Sequence, residues 1–94
     1  MNTVERFKQI TEEMQDLCKR KNSDYGSSVN DTYKKYGMVS YLVRMEDKIN
    51  RIRNLVLNKN QKVEDEKIRD TLMDLSSYCI LAIIDLEQDK KADN

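Results

Sequence analysis

The segment from Met38 to Val56 constrains the fold more than any other. Its apolar residues Met38, Leu42, Met45, Ile49, Ile52 and Val56 recur at steps of 4, 3, 4, 3 and 4. A strand would place alternate residues on one face, whereas this spacing makes a single stripe on an α-helix that runs nearly parallel to its neighbour. The chain downstream supplies that neighbour. Ile68, Leu72, Leu75, Cys79, Ala82 or Ile83, and Leu86 form a second stripe, separated from the first by the polar stretch NKNQKVED (58–65). The expected core is therefore an antiparallel hairpin of helices over roughly 38–58 and 64–88.

The rest of the chain agrees with an all-α fold. With no proline and only two glycines in 94 residues, it lacks the turn chemistry that many short strands need. Asn2 or Thr3 can cap a first helix, with Glu5 placed to answer the Asn2 cap. Val4, Phe7, Ile10, Met14, Leu17 and Cys18 give that helix one apolar stripe, and it should stop near Lys21 or Asn22 and pack across the hairpin. Residues 28–36 read as a short helix, with Val29, Tyr33 and Tyr36 inward and Gly37 as a left-handed cap. The expectation is a single domain over 1–94 whose tail, about 89–94, frays.

Around Ile80, Leu81, Ile83 and Ile84 the last helix is apolar nearly all round, which calls for cover on more than one side. In so small a domain a second copy of the chain is the simplest cover, so a homo-oligomer is expected. Seventeen basic residues balance seventeen acidic ones, which argues against non-specific nucleic-acid binding. The chain has no histidine, which removes His-based catalysis and the usual zinc sites. Cys18 and Cys79 show no CxxC spacing and read as small buried hydrophobes. No apolar run suits a secretory signal or a bilayer span, so a cytoplasmic protein with no membrane partner is expected.

Two charged lines could carry chemistry. Arg44, Lys48 and Arg51 lie at i, i+4 and i+7, beside Glu46 and Asp47, on the side away from the Met38–Val56 seam. As a solvated face they would hold ion pairs such as Asp47 with Arg51; as a site they would donate to phosphate oxygens. Glu66, Asp70 and Asp74 lie at i, i+4 and i+8, with Ser77 and Tyr78 one turn on. Repelling carboxylates at this spacing need compensation. A salt-bridge ladder with the basic line would supply it, and so would a Mg²⁺ ion. Two helix ends, KRKNSDYG (19–26) and YKKYG (33–37), combine lysine, tyrosine and glycine. Tyr25, Tyr33, Tyr36 and Tyr41 offer rings for a base or for the core. No Walker-type loop or dinucleotide fingerprint is present.

The succession CKRKNSDYG (18–26), MEDKINRI (45–52) and E-x-x-x-D-T-L-M-D-L-S-S-Y (66–78) resembles the nucleotide-modification-associated domain, type 1, a small all-α family of phages and bacteria. The likeness spans residues 18 to 80 and implies a role around modified or signalling nucleotides. Carried over by motif, the site residues it implies are Lys21, Asn22, Asp24, Tyr25 and Gly26 in the turn. Asp47, Lys48 and Arg51 match on the third helix, and Glu66, Asp70, Asp74 and Tyr78 on the fourth. In a phage such a protein could sequester a host immune signalling nucleotide or feed a DNA-modifying enzyme. A weaker similarity is to all-α nucleoside-triphosphate pyrophosphohydrolases, which hold Mg²⁺ with E-x-x-E and E-x-x-D pairs. Here the late acidic residues are four apart and no second E-x-x-E occurs.

Three functions therefore stand at this point. One is a nucleotide-binding protein using Lys21, Lys48 and Arg51 for phosphates and Asn22, Asp24, Tyr25 and Asp70 for base or sugar. Another is a Mg²⁺-dependent hydrolase with Glu66, Asp70 and Asp74 as ligands. The third is a structural adaptor whose charged lines are only ion-pair ladders.

Overall fold

The computed structural model describes residues 2–21, 28–58 and 61–92, without the side chains of 61–64 and 91–92. Four α-helices follow one another: α1 (Thr3–Arg20), α2 (Asn30–Tyr36), α3 (Val39–Leu57) and α4 (Gln61–Ala92). The described residues contain no strand. The chain divides into two compact units, Met1–Asp31 and Thr32–Asn94.

In the first unit, Asn2 caps α1 as its sequence position implies. The Glu5 backbone N–H donates to Asn2 Oδ1 at 2.8 Å, and Asn2 Nδ2 donates to Glu5 Oε1 at 3.2 Å. The helix ends at Lys21, whose N–H still reaches the Leu17 carbonyl. Lys19 and Arg20 in the last turn complement the negative end of the helix dipole. Only the middle of the apolar stripe is covered. Met14 is buried, Ile10, Leu17 and Cys18 are half-buried, and Val4 and Phe7 are exposed.

The second unit is built on the α3–α4 hairpin. Before it, α2 stops at Gly37, which takes φ +71° and donates its N–H to the Tyr33 carbonyl at 2.7 Å. A Cβ built on Gly37 would meet nothing within 4 Å. The backbone angle, and not lack of space, is what asks for glycine there. Ser40 then donates from Oγ to the Gly37 carbonyl, and α3 starts at once.

The hairpin is present, but both helices are turned relative to the expected stripes. On α3 the covered face runs through Tyr41, Met45, Lys48, Ile52 and Leu55, while Leu42, Ile49 and Val56 are exposed. On α4 it runs through Ile68, Thr71, Leu75, Tyr78, Ala82 and Asp85, with Met73 and Ser77 buried as well, while Leu72, Cys79, Ile83 and Leu86 are exposed. The 3-4 spacing is kept, and the face moves over by one position at alternate steps. Tyr41, at 1% exposure the most deeply covered large side chain, accounts for the shift: its ring fills the interior and its hydroxyl finds a buried partner on α4.

Other expectations change as well. Val29 and Tyr33 are buried, but Tyr36 is exposed. Cys79 is exposed and Cys18 half-buried, both as free thiols. α4 begins inside the segment read as a turn and continues to Ala92 through the tail expected to fray. No helix among the described residues is long and apolar enough to cross a membrane.

Candidate functional site

The Gly37 cap lets α2 and α3 follow each other without a loop, and their facing sides enclose a cleft. It has a volume of about 460 Å³ and is lined by Thr32 and Tyr36 of α2 and by Val39, Ser40, Val43, Arg44 and Asp47 of α3. That size lies within the range of small-molecule sites. Val39 and Val43 give it an apolar wall. Arg44 is half-buried and donates from Nη2 to Thr32 Oγ1 at 3.4 Å, and its guanidinium carbon lies 5.9 Å from the Tyr78 ring centroid. These contacts limit the side chain's freedom, so less entropy is lost when it binds a partner. Tyr36 stands at the rim with its ring exposed, and Lys35 Nζ lies 5.5 Å from the centroid.

Two tyrosine–aspartate contacts tie the walls of the cleft to α4. The Tyr33 hydroxyl of α2 donates to Asp89, and the Tyr41 hydroxyl of α3 donates to Asp85. Asp85 and Asp89 are one turn apart on α4, and the two rings meet at 5.6 Å with their planes tilted by 48°. Asp85 is itself buried, a costly place for a carboxylate unless a donor faces it. The Tyr33 phenol is pushed up to about 12 by its hydrogen bond to Asp89, then by burial and the charges of Asp89 and Asp85. Burial raises Tyr41 further, with the Asp85 hydrogen bond and charge adding to it and Arg44 opposing. Both phenols therefore remain neutral donors at ordinary pH.

The family described as nucleotide modification associated domain 1 matches residues 21–86, most of the chain. The chain belongs to that family. No curated protein and no solved structure gives a significant match, and the similarity to nucleoside-triphosphate pyrophosphohydrolases finds no support. The family's description associates it with nucleotide modification. Its match takes in the whole cleft together with Tyr33, Tyr41 and Asp85, and leaves Asp89 just beyond.

Asn22, Asp24, Tyr25 and Gly26 lie outside the described residues, and Lys21 is the exposed cap residue of α1. Arg44 and Asp47 line the cleft together. Lys48 turns to α4 instead and meets Asp74, Nζ to Oδ2 3.5 Å, with both side chains about a quarter exposed. Arg44 and Lys48 thus lie on the α4-facing side of α3, not away from it, because the helix is turned. Arg51, Glu66 and Asp70 are exposed.

Of the expected ladder between the two charged lines, the rung Lys48–Asp74 is formed. No ion pair joins Asp47 to Arg51 among the described residues. Nor do three carboxylates or thiols gather as a metal-holding group among them. Glu66 and Asp74, eight residues apart on one helix, are separated by about 12 Å along the axis, too far to share an ion within one chain.

Thr32, Ser40, Asp85 and Asp89 were not singled out from sequence. Asp85 did carry a signal, as the lone charge in the apolar run ILAIIDL (80–86), where a carboxylate needs a buried donor.

Proposed function

We propose that this protein is a nucleotide-binding member of its family and holds a phosphorylated nucleotide in the α2–α3 cleft. The observation that carries the reading is Arg44, a cation held in place by Thr32 and Tyr78 on the wall of a cleft with the exposed Tyr36 ring at its rim. Arginine suits the acceptor-rich edges of nucleotides, and tyrosine offers a face for a base. Membership of a family associated with nucleotide modification supports it. The role is to sequester or supply a modified or signalling nucleotide, as a phage-encoded protein in its host's cytoplasm would.

The reading includes self-association. Leu42, Ile49 and Val56 on α3, and Ile80, Ile83, Ile84 and Leu86 on α4, are exposed in the single chain. A second copy covering them gains the burial that a chain of this length lacks.

Isothermal titration calorimetry against mono-, cyclic and triphosphate nucleotides tests the proposal, with product analysis of the same mixtures to detect turnover. At least one nucleotide should bind, and Arg44→Ala should weaken it about tenfold or more, as expected for a charge-assisted contact. No binding tighter than about 1 mM, roughly −4 kcal/mol, would reject the reading.

A further inference from the structure

We infer that the cleft is selective for guanine nucleotides, with Asp47 and Arg44 reading the edge of the base. This rests on the nucleotide-binding reading and adds the identity of the base. Asp47 lines the cleft and forms no ion pair with a described residue, although Arg51 stands one helical turn away. An ionised carboxylate only accepts hydrogen bonds, so its complement is a group that presents N–H donors. Guanine presents two side by side, N1–H and the 2-amino group, matching the two carboxylate oxygens. Adenine puts an acceptor, N1, at the centre of the same edge. Uracil flanks its single N–H with two carbonyls that a carboxylate repels, and cytosine sets its amino group beside an acceptor nitrogen.

Arg44 completes the match. It lies three residues before Asp47, so the two side chains leave the helix as neighbours about 5–6 Å apart at Cβ. A guanidinium donates in pairs to guanine O6 and N7, and these atoms adjoin the N1–H and amino donors assigned to Asp47. The two contacts use adjacent edges of the base that meet at O6, so one guanine spans both side chains. The Tyr36 ring serves the face of that base, and Lys35, with Nζ 5.5 Å from the ring centroid, supplies a cation for the phosphate. Val39 and Val43 add apolar contact and no competing polar group.

The test is calorimetric titration of the full chain with GMP, IMP and AMP, repeated on Asp47→Asn. IMP keeps O6, N7 and N1–H but lacks the 2-amino group; AMP presents neither donor of that pair. GMP should bind about tenfold or more tightly than AMP, the discrimination typical of a paired base contact, with IMP between. Asp47 is exposed, so Asp47→Asn should keep the wild-type circular dichroism spectrum while GMP loses its advantage over AMP. AMP binding as tightly as GMP, or a guanine preference that survives Asp47→Asn, overturns the inference and leaves the nucleotide-binding reading standing. Failure of all three to bind tighter than about 1 mM overturns this inference, and the wider nucleotide panel then decides the reading beneath it.

Discussion

Replacing Tyr41 with phenylalanine tests how the cleft is held. The substitution keeps the ring, its packing against Tyr33 and the 1% exposure of the site, and deletes only the O–H that Asp85 accepts. A hydrogen bond to a charged partner is worth about 1.5–3 kcal/mol net. Asp85 is buried, so water cannot easily take the hydroxyl's place. A loss of about 2 kcal/mol is therefore expected, which for a chain of this size lowers Tm by roughly 8–16 °C.

Urea and thermal denaturation followed by circular dichroism measure that loss. Tyr33→Phe is the internal comparison and should cost less, because Asp89 is exposed and can turn to solvent. Alkali gives a second readout. Tyr41 titrates above its ordinary value of 10.0 in the folded chain, so its contribution is complete below about pH 10 and is lost as pH rises toward the folded value. The stability of the wild type should fall in that range more steeply than that of Tyr41→Phe. A Tyr41→Phe protein within about 0.5 kcal/mol of wild type, with the same alkaline profile, would refute the reasoning, since surface-like substitutions stay within that band.

Gly37→Ala should destabilise by about 1–2 kcal/mol in the same assay, since φ +71° strains any residue with a Cβ; a gain in stability would show that the cap is not left-handed. Asn2→Ala removes the acceptor for the Glu5 N–H and should cost about 1 kcal/mol, with Asn2→Asp close to neutral. The Lys48–Asp74 pair is partly exposed, and a double-mutant cycle with alanine should return a coupling of no more than about 1 kcal/mol that shrinks in high salt. Sedimentation velocity should show an assembly larger than one chain, and Ile83→Glu with Leu42→Glu should break it down at unchanged helicity. A wild type that sediments as a monomer at every concentration would remove self-association from the proposal.

The α-helical class, the Asn2 cap and the Gly37 cap follow from local chemistry, and each is where the sequence puts it. An asparagine side chain reaches an N–H three residues on, and a glycine takes positive φ without strain, whatever the rest of the chain does. The antiparallel pairing of α3 with α4 is equally local in origin, because two apolar stripes joined by a short polar connection have one economical way to meet. The ends of α4 were less legible. NKNQKVED and DKKADN are polar, and polarity alone does not distinguish a solvated helical turn from a loop.

Half of the candidate site was visible and half was not. Arg44 and Asp47 stood out as charges at helical spacing, and Tyr36 and Tyr78 as rings, but nothing linear brings Thr32 to Arg44 or Asp85 to Tyr41. Leu42 and Ile49 look like better core residues than Tyr41 and Lys48 on hydrophobicity alone. Tyr41 is nevertheless the residue inside, because burying its large ring is favourable once a carboxylate on the opposite helix meets its hydroxyl. That partner lies 44 residues away. Periodicity along one helix therefore determined that the chain is helical and how its helices pair. Only the tertiary structure decided which face turns inward, and so which charges close on each other and which are left to line a cleft, because that choice depends on contacts between residues far apart in the chain.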